Sequence, residues 1–156
     1  MAIAAGSKAP FFKLYNTDRK EISTTDFAGK TIILHFFPAA FTRVCTEQVC
    51  SNRDDMSYYT GLGAVVLGIS VDMPFSLKAF KETHNINFEL LSDFNKLTIH
   101  EYDMYHCNFI LGLKGVAKRG VVVIDKEGMI AYSEETASSG NQVNFAALKD
   151  ALQKIL

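Results

Sequence analysis

Three cysteines, Cys45, Cys50 and Cys107, are the residues of this sequence best suited to covalent chemistry. The reactive form is the thiolate. An ordinary thiol is about 3% ionised at pH 7, whereas one with a pKa near 6 is about 90% ionised, so the surroundings decide reactivity. Cys45 closes the segment Pro38-Ala-Ala-Phe-Thr42-Arg-Val-Cys45. Pro38 follows an apolar run and ends it, because proline cannot donate to a strand ladder. A helix is expected from about Arg43, which puts Cys45 in its first turn. There the unpaired backbone N–H groups and the helix dipole favour an anion. Thr42, three residues before Cys45, can set its hydroxyl on the same side. A lone cysteine after a turn is most simply a small buried hydrophobe; the proline, threonine and cysteine together make this segment the candidate site.

The elements that must position it are short apolar runs separated by stretches of helical length. Residues 31–37 (Thr-Ile-Ile-Leu-His-Phe-Phe) are nearly continuously apolar, as in a strand covered on both faces. Residues 64–71 and 121–124 read the same way. Asp125-Lys-Glu-Gly128 is turn-like, and 129–133 is expected as the return strand of a hairpin. Phe11 to Tyr15 is a weaker strand candidate. Helices are expected from Arg43 to Tyr59, stopping at Gly61-Leu-Gly63, and from Ser76 to His84, with Ser76 as the capping residue. The last helix carries Phe145, Leu148, Leu152, Ile155 and Leu156 at helical spacing, so one face packs on the sheet. This order predicts an α/β fold with a central mixed β-sheet flanked by helices, in a single domain over 1–156.

Composition narrows the function. Sixteen basic and seventeen acidic side chains leave a net charge of −1, which gives no electrostatic reason to expect nucleic acid or an anionic membrane as partner. No apolar stretch approaches the roughly 18 to 20 residues of a membrane span. Residues 1–8 lack a charged segment ahead of a long apolar core, so no signal peptide and a cytoplasmic location are expected. Three cysteines are too few, and odd in number, for a disulfide scaffold. No Cys-x-x-Cys or His-x-x-x-His pair offers zinc spacing, so no metal is expected. His35 falls in the apolar run and reads as a core residue, while His84, His100 and His106 lie on polar segments. Asp54-Asp55 reads as a solvated helix face and Asp93 as a turn. Gly61, Gly63 and Gly68 lack the spacing of a phosphate loop.

The pattern Pro38-x-x-x-Thr42-x-x-Cys45 after an aromatic-rich strand resembles the active-site motif of the peroxiredoxins. Phe36-Phe37-Pro38, Phe41-Thr42 and Cys45-Thr46 add to the likeness, and so do residues 68–72 (Gly-Ile-Ser-Val-Asp), 88–93 (Phe-Glu-Leu-Leu-Ser-Asp) and 119–128 (Arg-Gly-Val-Val-Val-Ile-Asp-Lys-Glu-Gly). The features are similar to the small peroxiredoxins of the AhpE-like and Q types. The resemblance implies a thioredoxin-like fold and a thiol-dependent peroxidase that reduces hydrogen peroxide and organic hydroperoxides, without metal or organic cofactor. It implies Cys45 as the attacking thiolate, with the Thr42 hydroxyl, the Val44 and Cys45 N–H groups and the Arg119 guanidinium stabilising the departing oxygen. Pro38 would cover Cys45. By its own residues alone, Arg119 is a solvated charge at a strand entry. A thioredoxin- or glutaredoxin-like reductant and a homodimer formed near the active-site loops belong to the same implication.

One position departs from the family pattern. Peroxiredoxins commonly carry glutamate three residues after the attacking cysteine, where this chain has Gln48. Glu47 points about 100° away on a helix. Gln48 can bond an arginine without neutralising it, which makes the polar network the open question. Cys50, five residues beyond Cys45, matches a resolving cysteine of some Q-type members or is core filler; Cys107, in a loop expected after a short helix, reads as an incidental thiol or a late-placed resolving one. Two other functions fit a single reactive cysteine. A dithiol–disulfide oxidoreductase on the same fold is weakened by four residues between the thiols instead of two. A peroxide-sensing redox switch would oxidise once and stop.

Overall fold

A computed structural model describes residues 2–156. The chain begins with an antiparallel pair, β1 (Lys13–Asn16) and β2 (Glu21–Ser23), followed by the wholly buried strand β3 (Thr31–Phe36). Helices α1 (Arg43–Asp54) and α2 (Met56–Gly61) lead to β4 (Ala64–Ser70), α3 (Pro74–Thr83), β5 (Glu89–Ser92) and α4 (Leu97–Glu101). A short pair, β6 (Tyr105–His106) with β7 (Val116–Ala117), precedes the hairpin β8 (Gly120–Ile124) and β9 (Ile130–Glu135). Helix α5 (Phe145–Lys154) closes the chain.

The main sheet has the order β2-β1-β5-β4-β3-β8-β9. β3 pairs parallel with β4, and β4 with β5, while the other pairings are antiparallel, so the sheet is mixed as expected. Side-chain alternation along the strands divides the core into two layers. Ile33 and Phe37 of the β3 segment, with Val121 and Val123, face Cys45, Val49, Tyr59, Leu77, Phe80, Leu148 and Leu152 from α1, α2, α3 and α5. Ile32, Leu34 and Phe36, with Val122 and Ile124, face Ile99, Tyr102, Met104 and Ala117 on the other side. The central strands read as continuous apolar runs because both faces are covered.

Several sequence expectations shift. The single helix over 43–59 is broken at Asp55, whose φ of −100° and ψ of 9° end α1 before α2 starts. α3 opens at Pro74 with Met73 as its cap, so Ser76 lies inside the helix. Pro74 at the first helical position has its φ preset and no N–H to leave unpaired. The first strand starts at Lys13, not Phe11. The strands β2, β5, β6 and β7 are not visible as elements in the apolar pattern, whereas α4 is the short helix expected ahead of Cys107. Asp93 is buried and its carboxylate accepts from Thr98 N and Ile99 N at 3.2 and 2.8 Å, which anchors α4. The expected hairpin turn over 125–128 is present, with Gly128 at φ +82°, a conformation that glycine adopts without a Cβ penalty.

Candidate active site

β3 lies inside the sheet between β4 and β8, and the chain leaves its C-terminal end toward α1. Phe37 N still donates to Ile69 O at 3.1 Å, after which the buried Pro38 breaks the ladder. The connecting loop is held from a neighbouring strand end. Ala40 N donates to Asp72 Oδ2 at 2.9 Å, and Ser70 Oγ donates to the same oxygen at 2.7 Å. Phe41 adopts φ +69°, unusual for an aromatic residue, and its ring packs edge-on against Phe80 at 5.1 Å. Thr42 is the N-cap residue of α1. Its hydroxyl accepts no helix N–H and gives its one proton to Ala39 O at 2.7 Å, so it is not the donor to a departing oxygen that the resemblance implied. The Thr42 carbonyl accepts from Thr46 N and Thr46 Oγ1.

Cys45 lies in the first turn of α1 and is fully buried. The backbone N–H groups of Arg43, Val44 and Cys45 precede the first intrahelical bond, that from Thr46 N to Thr42 O, and give this end of the helix its partial positive charge. Arg119 reaches the sulfur from the residue ahead of β8. Its Nη1 is 3.3 Å from Cys45 Sγ and 3.0 Å from Gln48 Oε1. Its other side is held by one backbone carbonyl: Ser139 O accepts from Nε at 3.1 Å and from Nη2 at 2.7 Å. The guanidinium is thus only 3% exposed as a residue, yet fixed on both edges. Beside it, Gly120 lets β8 pack closely on β9 and on Met104: a Cβ there would lie 2.3 Å from Glu134 O and 2.7 Å from Met104 Cε. The loop that carries Ser139 also supports the helix, since Gln142 Nε2 donates to Val44 O at 3.2 Å.

Gln48, one turn along α1 from Cys45, is fully buried. Its oxygen accepts from Arg119, and its Nε2 contacts Phe36 O at 3.2 Å and His35 Nδ1 at 3.0 Å. His35 is buried as the sequence suggested, but it belongs to this polar chain as well as to the core. Burial pushes its pKa down to about 3, so the ring is neutral near pH 7. A histidine inside an otherwise apolar strand was the available signal, and the strand reading absorbed it.

Cys45, Gln48 and Arg119 are therefore brought into direct contact, with Pro38 and Thr42 on the loop that leads into the same helix. Cys50 is half-buried on α1 and packs against the apolar layer under it; Cys107 is exposed in the loop after β6. All three thiols are free. Among the described residues no three His, Cys, Asp or Glu side chains gather as a metal site, and no helix is long and apolar enough to cross a membrane.

Known proteins resemble this chain in sequence and fold. The AhpC/TSA family matches residues 5–133. Peroxiredoxin Bcp of Escherichia coli (strain K12) is 33% identical over 141 residues, covering 89% of this chain and 90% of the relative. Among solved structures, reduced 2-Cys peroxiredoxin of Plasmodium vivax superposes with a TM-score of 0.86 at 25% identity, over 97% of this chain and 81% of that one. A peroxiredoxin-like protein of Aquifex aeolicus gives a TM-score of 0.89 at 24% identity, over 100% of this chain and 90% of that one. These likenesses bear out the thioredoxin-like fold. The chain belongs to the AhpC/TSA family and is a Bcp-like, Q-type peroxiredoxin, a thiol-dependent peroxidase.

Proposed function

We propose that this peroxidase reduces hydrogen peroxide and organic hydroperoxides at Cys45. The thiolate sulfur attacks the nearer peroxide oxygen and the O–O bond breaks. The second oxygen departs with the bonding pair, takes a proton and leaves as water or alcohol, while Cys45 becomes a sulfenic acid. Charge grows on the departing oxygen, so donors fixed along the O–O axis help the transition state more than the ground state. Arg119 and the Val44 and Cys45 N–H groups are those donors. The Thr42 hydroxyl gives its proton to Ala39 O, which leaves its lone pairs to accept from the peroxide hydrogen and orient the substrate. Pro38 shields the sulfur from water, and Gln48 holds Arg119 without adding charge.

The observation that carries this reading is Arg119 Nη1, which bonds Cys45 Sγ and Gln48 Oε1 together. In the second half of the cycle the Cys50 thiol condenses with the sulfenic acid, releasing water and leaving a disulfide. A thioredoxin- or glutaredoxin-like dithiol then reduces that disulfide by exchange. The protein works in the cytoplasm as one domain over 1–156, in a homodimer, with neither nucleic acid nor membrane as partner. Consumption of hydrogen peroxide and of cumene hydroperoxide with a thioredoxin system tests the proposal. Many turnovers per protein, abolished in Cys45→Ser, are expected. A single stoichiometric oxidation would instead mark a redox switch.

A further inference from the structure

We propose that His35 is a positioning residue for the peroxidase reaction: by accepting one N–H of Gln48 it fixes that amide with its oxygen toward Arg119, and so holds the guanidinium on Cys45. The inference rests on the peroxidase reading above and extends its polar network by one residue.

A glutamine amide can sit in two orientations related by a half-turn, and its last torsion is soft. Here every neighbour selects the same one. Arg119 has only donors, so it requires Gln48 Oε1. Phe36 O is an acceptor and requires Gln48 Nε2. That leaves the second Nε2 proton, which points to His35 Nδ1 at 3.0 Å. The proton arrangement of the imidazole follows. Nδ1 accepts, so the ring proton sits on Nε2, and Nε2 finds no hydrogen-bond partner among the described residues.

A histidine kept only as core filler would be a poor choice at this place. A leucine or phenylalanine would fill the space without burying an N–H that has no partner. The ring is fixed further by stacking on Phe145, with centroids 5.8 Å apart. Its neutrality matters as well. A cation at His35 would carry a proton on Nδ1, oppose the Gln48 N–H, and favour the reversed amide that faces Arg119 with donors. What His35 supplies is an uncharged acceptor at one defined point.

Two substitutions separate this role from packing. Asparagine at position 35 can present its oxygen near the place of Nδ1, whereas leucine fills the space with no acceptor. In a Cys50→Ser, Cys107→Ser background, His35→Leu should slow the oxidation of Cys45 by hydrogen peroxide about tenfold. It should also lower the thiolate absorbance at pH 7, while His35→Asn stays within about threefold of the parent. Nitrogen-15 NMR of the otherwise unaltered protein at pH 7 gives a second reading that needs no variant to fold. The His35 Nδ1 resonance should show an unprotonated, hydrogen-bonded nitrogen and Nε2 a protonated one. Equal losses in the two variants, an unchanged rate in His35→Leu, or a proton on Nδ1 would each overturn the proposal. Failure of the peroxidase reading shows separately, as absence of turnover in the unaltered protein, because the tautomer and single-oxidation measurements do not depend on turnover.

Discussion

Gln48 Oε1 and Arg119 Nη1 lie 3.0 Å apart, fully buried and nearly buried respectively, and join the helix that carries Cys45 to the start of β8. Seventy-one residues separate the two in the chain. The bond is neutral on one side and cationic on the other, so Arg119 keeps its full charge for Cys45 Sγ at 3.3 Å. Hydrogen bonds to charged groups are worth more than neutral ones, about 1.5–3 kcal/mol each.

The Arg119 fork is used at every nitrogen: Nε and Nη2 on Ser139 O, Nη1 on Gln48 and Cys45. Lysine keeps the charge and loses this geometry. Arg119→Lys is expected to slow Cys45 oxidation tenfold or more, about 1.4 kcal/mol of barrier. Stopped-flow kinetics with hydrogen peroxide measure it, and an unchanged rate would place the arginine outside the reaction.

Gln48→Glu introduces the residue that the family commonly carries. Its carboxylate brings a like charge beside the Cys45 thiolate and partly offsets Arg119. It also turns acceptor oxygens toward Phe36 O and His35 Nδ1, where Gln48 has donors. Lower thiolate absorbance at pH 7 is expected, together with a loss of stability of about 1–3 kcal/mol from the mismatched acceptors. A gain in thiolate would show that the carboxylate organises Arg119 more than it repels the sulfur.

His35 links stability to pH. Its folded pKa of about 3 lies below the ordinary value of 6.5 because burial disfavours the cation. Between those values the unfolded chain binds a proton that the folded one refuses, so stability falls as pH drops from about 6.5 toward 3. The slope approaches about 1.4 kcal/mol per pH unit. Asp93, whose buried carboxyl is raised above the ordinary range, acts with the opposite sign, since its penalty is relieved as pH falls. Comparison with His35→Asn removes that background. Urea denaturation at several pH values should show the steeper acid-side decline only when histidine is present, and parallel curves would contradict it.

Oxidation should loosen α1. Five residues of ideal helix separate the Cα atoms of Cys45 and Cys50 by about 8.7 Å, beyond the roughly 7 Å that a disulfide spans. The two cysteines occupy one unbroken helix in the reduced form, so its first turns must unwind before the bond closes. The Gln142 contact to Val44 O must break with them. Hydrogen exchange over 43–50 should rise after one equivalent of peroxide, and mass spectrometry should find the Cys45–Cys50 link. Unchanged turnover in Cys50→Ser with a thioredoxin system would make this a one-cysteine enzyme.

The parts of the site that were legible in sequence are those close together along the chain. Pro38, Thr42 and Cys45 fall within one loop and one helical turn, and strand-ending proline and helix-start chemistry act locally. Arg119 is different. Nothing local sets it apart from a surface charge; it reaches Cys45 because β8 pairs antiparallel with β3 and brings its start beside the end of that strand, where Phe36 pairs with Gly120. Only the family resemblance pointed to it. His35 was hidden for a related reason: an apolar run reports burial, not which polar partner waits across the layer. The break at Asp55 and the short strands β2 and β5 escaped because tertiary packing, not hydrophobic period, decides them.

The central claim is that the buried sulfur of Cys45, and not the exposed one of Cys107, is the atom that peroxide oxidises. The direct measurement is to treat the Cys50→Ser protein with one equivalent of hydrogen peroxide in the presence of dimedone and to map the sulfenic acid adduct by mass spectrometry. The adduct should lie on Cys45, form within the mixing time of a rapid-quench experiment, and form more slowly in Arg119→Lys. An adduct on Cys107 with Cys45 left as a thiol would contradict the account.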